Sequence, residues 1–208
     1  MTQAVYILGG AGVGKSTFTA DLMDRLKAEA IHGGWKVGPL TDLHAKPNRK
    51  VTVTLRAHPL TLEPVGGLLH GMYLGKLRDE FPGTDGLDRA TSPTAAEWLE
   101  IGDVTGQLPD FIVGEGATLA TDRFLGALET YTNLLVLHLV CDPMIADLRV
   151  ANRGHELSPQ FVDGTATRSE NRTKNLKTAT VLRVDTTAEG KDGPWAEALD
   201  AAVEHILY

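Results

Sequence analysis

Cysteine is nearly absent: Cys141 is the only one in 208 residues. One thiol cannot build an intrachain disulfide framework or a zinc site, and its rarity fits a reducing compartment. Long apolar runs are also missing. The longest, Leu134 to Cys141, is interrupted by His138, whereas a membrane-spanning helix needs about 20 apolar residues. Met1-Thr2-Gln3-Ala4 lacks the basic start of a secretory signal, and the apolar stretch behind it ends at Gly9. Positive charge is in deficit, with 20 Lys and Arg against 27 Asp and Glu, a net charge of −7. The surface as a whole therefore does not attract nucleic acid. The seven histidines show no metal-ligand spacing. Together these absences predict a cytoplasmic chain without a membrane partner.

What is present is ordinary globular material. Hydrophobic residues make up 42% and charged residues 23%, which excludes a disordered or fibrous chain, and the length suits one domain over 1–208. The charge is unevenly placed. Residues 149–183 hold seven cations against three carboxylates, and residues 41–58 hold four against one. Two basic segments on an acidic body suit a compact anion or a few phosphates better than a long duplex.

Hydrophobic patterning alternates between strand and helix. Val5 to Leu8 reads as a buried strand. Phe18, Leu22, Met23, Leu26 and Ala30 mark one face of a helix from Lys15 that ends at His32-Gly33-Gly34. Strands are expected at 35–40, 51–55, 111–113, 134–140 and 179–184, and helices at 94–101, 118–130, 142–152, 167–177 and 194–207. The second half of 65–80 looks helical from Met72, Tyr73 and Leu77. Asp142-Pro143 opens its helix as a cap followed by a first-turn proline. Short strands apolar on both faces, alternating with helices, predict an α/β three-layer sandwich: about five parallel strands, helices on both faces. An insert of about 43–108 would follow the second strand, and a helical lid would span about 143–177.

One motif carries the chemistry. Gly9-Gly10-Ala11-Gly12-Val13-Gly14-Lys15-Ser16 matches G-x-x-x-x-G-K-[ST] at each fixed position, followed by Thr17. It lies between a predicted strand and a predicted helix, which its mechanism requires. Glycines let successive N–H groups face one anion, and the helix start adds its positive dipole end. Lys15 can reach β- and γ-phosphates, and the Ser16 hydroxyl can ligate Mg²⁺. Residues 9–17 are thus expected to bind a nucleoside triphosphate, ATP with Mg²⁺.

Three classes use such a loop. A GTPase needs Asn-Lys-x-Asp after a later strand, and none occurs in the sequence. A motor ATPase ends its acidic strand in Asp-Glu, whereas Val113-Gly114-Glu115 stands here. A kinase needs arginines over the transferring phosphoryl group. Arg149 and Arg153 lie at i, i+4, as do Arg168 and Arg172. Arg149 and Arg153 are expected to act in catalysis, and Arg168 and Arg172 on the acceptor.

An acceptor hydroxyl also needs a carboxylate, and ligands gather at the C-terminal ends of parallel strands. Asp42 follows the second expected strand and is the preferred base. Glu115 follows the third and suits the metal or the acceptor. Asp85, in the turn-rich Phe81-Pro82-Gly83-Thr84-Asp85, is the rival acid and an acceptor contact. His138 suits a core histidine, and Trp35, Trp98 and Trp195 suit packing.

With these features in place, the chain resembles the small P-loop nucleoside, nucleotide and polynucleotide kinases. More narrowly, Phe81-Pro82-Gly83-Thr84-Asp85, Val113-Gly114-Glu115-Gly116 and Arg172-Thr173-Lys174 look like segments of bacteriophage P-loop kinases. That group includes the 5-hydroxymethyluracil DNA kinases, which phosphorylate a modified base within DNA. The resemblance implies a 5-hydroxymethylpyrimidine acceptor in DNA, with the two basic segments tracking flanking phosphates. No Asp-Arg-[SHY] follows the third strand; Glu115-Gly116-Ala117 stands there, which speaks against a free deoxynucleoside acceptor. A small-metabolite kinase and an ATP-dependent regulatory or assembly protein remain alternatives. Monomer and homodimer are both open.

Overall fold

The first strand, β1 (Gln3–Gly9), is apolar on both faces because it lies in the middle of a sheet. In the computed structural model, which describes residues 1–48, 51–77, 82–152, 158–188 and 192–208, β1 is flanked by β6 (Phe111–Glu115) and β7 (Asn133–Val140). Both neighbours run parallel to it. Outward from these, β5 (Leu69–Leu74) joins β6 and β8 (Thr180–Asp185) joins β7, again in parallel. The parallel block is therefore β5-β6-β1-β7-β8.

The sheet does not stop there. β4 (Val51–Leu62) lies antiparallel to β5, and its outer edge carries both β2 (Trp35–Val37) and β3 (Thr41–Asn48). The expectation of about five parallel strands is thus corrected to a mixed sheet of eight. The segment expected as an insert supplies three of them. β4 pairs with β5 only from Ala57 onward, opposite Leu74. Its earlier residues, paired with β3, run past the C-terminal edge of the parallel block.

Six α-helices cover the sheet among the described residues. Alternation along β1 assigns the faces. Val5 and Ile7 pack with Phe18, Leu22 and Leu26 of α1 (Lys15–Glu29). Leu199, Ala202 and Ile206 of α6 (Pro194–Leu207) complete that layer. On the other face, Ala4, Tyr6 and Leu8 meet Ala95 and Leu99 of α2 (Thr91–Thr105) and Phe124 and Leu128 of α3 (Asp122–Tyr131). Phe18 and Leu22 are fully buried, each contributing about 1.5–3 kcal/mol on leaving water.

Some local expectations change. Helix α2 starts at Thr91, three residues before the expected start at Thr94. Residues 69–74 form a strand rather than the start of a helix. The helix expected at 167–177 begins earlier, as α5 (Pro159–Asn175). Asp142 caps α4 (Pro143–Asn152), its Oδ1 accepting from the Met144 N–H at 2.8 Å. No helix among the described residues is long and apolar enough to cross a membrane.

Candidate active site

The loop from β1 to α1 is built by backbone geometry. Gly12 and Gly14 have φ of 76° and 94°, values that disfavour any residue with a β-carbon. A β-carbon at Gly12 would also overlap the Ala146 carbonyl of α4. Helix α1 opens at Gly14 with no side-chain cap and no acidic residue in its first turn. Its positive end is thus left to an anion. The Thr186 hydroxyl, just beyond β8, donates to the Val13 carbonyl at 2.9 Å and fixes the far side of the loop.

Lys15 and Ser16 sit on the first turn of α1. The Lys15 ammonium donates to the Gly10 carbonyl at 2.6 Å and the Gly9 carbonyl at 3.1 Å, so the side chain folds back over the loop. The Ser16 hydroxyl donates to Glu115 Oε2 at 3.4 Å. Glu115 ends β6, the strand beside β1, and is 2% exposed. Its Oε1 accepts from the Tyr73 hydroxyl of β5 at 3.2 Å. Burial lifts the Glu115 carboxyl above its ordinary range, while the nearby Lys15 charge and the Tyr73 hydrogen bond oppose that rise.

A second layer fixes the Glu115 backbone. The Thr84 hydroxyl donates to the Glu115 carbonyl at 2.6 Å, and the Tyr6 hydroxyl donates to the Gly116 carbonyl at 3.0 Å. Both phenols, Tyr6 and Tyr73, are pushed upward chiefly by burial. Asp85 stands on the same turn. Its Oδ1 accepts from the Ala117 N–H at 2.6 Å and the Thr118 N–H at 3.1 Å, closing the segment after Glu115.

The expected base, Asp42, lies elsewhere. The strand after α1 does not join β1; it goes to the antiparallel margin. Asp42 is exposed on β3 and pairs with Arg56 Nε at 2.8 Å. Four strand spacings separate β3 from β1 in the sheet order, roughly 19 Å at about 4.8 Å each. The position beside the loop therefore belongs to Glu115, and the premise that singled out Asp42 does not hold.

The lid arginines separate as well. Arg149 of α4 donates to the Thr186 carbonyl at 2.8 Å and to Cys141 Sγ at 3.4 Å. It braces the ends of β7 and β8. Arg153 and Phe81 lie outside the described residues. Arg168 and Arg172 come together on α5. With Thr165 and Ser169 they line a cleft whose other wall is Leu8, Gly9, Gly116, Ala117 and Ala120.

Two residues that the sequence did not single out touch the site directly. Thr165 of α5 accepts the Ala11 N–H at 3.1 Å. Tyr73 holds Glu115, and its position in a segment that looks helical hid it. His138 is buried on β7, and its Nδ1 lies 3.7 Å from Glu170 of α5. Trp195 packs on Phe18 with ring centroids 4.9 Å apart and donates to Asp21 at 3.0 Å.

The donor chemistry fits Mg²⁺. A hydroxyl and a carboxylate, both hard oxygen donors, converge at the lip of a phosphate-binding loop. No group of three or more His, Cys, Asp or Glu side chains suited to a resident metal occurs among the described residues. A cation here would complete its shell with phosphate oxygens and water.

The strand–loop–helix with Lys15 and Ser16, an acid on the adjacent strand and arginines on a late helix define a P-loop phosphotransferase architecture. Residues 1–206 match the P-loop Nucleotide Kinase3 family, and the chain belongs to that family. No curated protein matches the chain. Among solved structures it is similar to an unliganded sugar kinase from Janibacter sp. HTCC2649, at 12% identity. That match covers 99% of this chain and 95% of the other, with a TM-score of 0.39.

Proposed function

We propose that the protein transfers the γ-phosphoryl group of ATP to a hydroxyl of a nucleotide or nucleic-acid base. The favoured acceptor is a 5-hydroxymethylpyrimidine within DNA. The observation that carries this reading is the approach of Ser16 and Glu115 at the mouth of the glycine loop. Acceptor oxygen attacks the γ-phosphorus, the bond from that phosphorus to the β-bridging oxygen breaks, and ADP leaves with the electron pair. The acceptor proton passes to a carboxylate and then to solvent.

Residues 9–17 bind the triphosphate in this account, with the glycine-loop amides and the α1 N-terminus on the β- and γ-phosphates. Mg²⁺, when bound, neutralises charge on the β- and γ-oxygens. The Ser16 hydroxyl would hold it directly and Glu115 through water. Lys15 must leave the Gly9 and Gly10 carbonyls to meet the γ-phosphate. Asp85, exposed on the turn that packs on the segment after Glu115, is the carboxylate we assign to the acceptor hydroxyl. Phosphoryl transfer through a loose transition state needs such a group to orient more than to deprotonate. Arg168 and Arg172 meet acceptor phosphate in the adjacent cleft.

The test is transfer of label from γ-labelled ATP to hydroxymethyluracil-containing DNA, free nucleotides, plain DNA ends and small alcohols in parallel. Label on the modified DNA, weakening with salt, supports the full reading. Label on a small alcohol, insensitive to salt, would replace the acceptor and keep the kinase. Label on none of them removes the kinase.

A further inference from the structure

Glu115 is held from two sides, and the two sides are not equivalent. Ser16 holds Oε2 with a hydroxyl on the first helical turn. Tyr73 holds Oε1 with a hydroxyl on an aromatic ring that is 0% exposed. Its ring is packed among the residues between the sheet and α1, and its backbone pairs with Val113 in the parallel ladder. The tyrosine hydroxyl is therefore fixed by the sheet. The serine hydroxyl can rotate about one side-chain bond.

That asymmetry matters when a cation arrives. A serine that lends an oxygen lone pair to Mg²⁺ still has one hydroxyl proton, and that proton stays on Glu115 Oε2 only while the carboxylate is held in place. Of the two anchors of the carboxylate, only the Tyr73 hydroxyl is independent of the metal. Outer partners of this kind orient a metal-side carboxylate, and their loss commonly weakens metal binding by about 10–100-fold.

We propose that Tyr73 is a positioning residue for phosphoryl transfer: its buried hydroxyl fixes Glu115 so that the second carboxylate oxygen faces Ser16 and the cation held there. The proposal rests on the phosphotransferase reading above and assigns that site a residue on a third strand. It also accounts for a polar ring oxygen deep in an apolar layer, where phenylalanine would fill the same space without needing a partner.

The experiment is a double-mutant cycle of Tyr73→Phe and Glu115→Gln. The readout is Mn²⁺ affinity of the protein–ATP complex by electron paramagnetic resonance, alongside kcat and the KM for ATP. Tyr73→Phe should weaken Mn²⁺ binding about tenfold and lower kcat comparably. Metal-free ATP binding should stay within about twofold, because the glycine loop is untouched, while the KM for the metal–ATP complex should rise with the lost metal affinity by linkage. In the Glu115→Gln background, Tyr73→Phe should change Mn²⁺ affinity less than about twofold. An equal loss in both backgrounds, or unchanged Mn²⁺ affinity in the single variant, overturns the proposal. Should Glu115→Gln fail to fold, the single variant's Mn²⁺ affinity decides alone. Wild-type protein that binds no ATP at all refutes the phosphotransferase reading instead, a result distinct from every outcome above.

Discussion

The Ala11 N–H of the glycine loop donates to the Thr165 hydroxyl oxygen of α5 at 3.1 Å, while the Thr165 hydroxyl proton goes to the Val162 carbonyl at 2.8 Å. An oxygen lone pair from the late helix thus occupies an amide that phosphate would use. Ala166 packs next to it against Gly10. A triphosphate oxygen on that amide would displace Thr165 from Ala11, so α5 and the nucleotide would compete for one donor.

Removing that competitor should favour the nucleotide. Thr165→Val keeps the shape and deletes the acceptor, and one hydrogen bond of about 1 kcal/mol corresponds to about fivefold. ATP should bind about fivefold tighter by calorimetry, with Thr165→Ser close to wild type. Weaker binding in Thr165→Val would show that Thr165 holds the nucleotide rather than excluding it.

The glycine loop and α1 were legible in the sequence because Gly9, Gly14, Lys15 and Ser16 are fixed by the chemistry of phosphate. The strand that holds Glu115 in place was not. Leu69–Leu74 contains Gly71, and Met72, Tyr73 and Leu77 fall at helical spacing. Gly71 is explained only by tertiary packing: a β-carbon there would overlap the Phe111 ring of the adjacent strand. Missing β5 left Trp35–Leu40 as the apparent second strand and moved the expected base to Asp42. The long α5 was half hidden for a similar reason. Its first turns carry Gly164 and Thr165 instead of an apolar stripe, and Thr165 meets the Ala11 amide of the glycine loop.

Asp42 therefore gives a sharp contrast with Asp85. Asp42→Asn loses an exposed ion pair, worth about 0–1 kcal/mol, and should leave kcat within about twofold. Asp85→Asn should lower kcat by at least about tenfold, measured under saturating ATP and acceptor. Equal activity of the two variants would dissolve the distinction between them.

Glu115 places a carboxylate where burial opposes its charge. Glu115→Gln keeps the shape and removes that charge, so the ligand-free protein should melt a few degrees higher. Phosphoryl transfer should fall by about 10²-fold or more, since the metal loses its protein carboxylate. A variant that is both less stable and fully active contradicts this placement.

His138 should make stability sensitive to mild acid. Burial lowers its pKa, with Arg183 acting in the same direction and Glu170 opposing. The unfolded chain takes up the proton near pH 6.5 and the folded protein only at lower pH, so acidification below about pH 6.5 favours unfolding. Glu115 acts in the opposite sense. Folding raises its affinity for a proton, so acidification toward its ordinary value of 4.5 favours the folded state. Urea denaturation of wild type and His138→Gln between pH 5 and 7.5 separates the two. The wild-type curve should fall relative to the variant as pH drops, and parallel curves would count against a buried neutral His138.

The central claim is that the bend between β1 and α1 grips a triphosphate. Titration calorimetry of the wild-type chain and Lys15→Ala with ATP at millimolar Mg²⁺ tests it most directly. One saturable site is expected in the wild type and strongly weakened binding in Lys15→Ala. Absence of binding heat with every purine triphosphate, or identical isotherms for the two proteins, would contradict it.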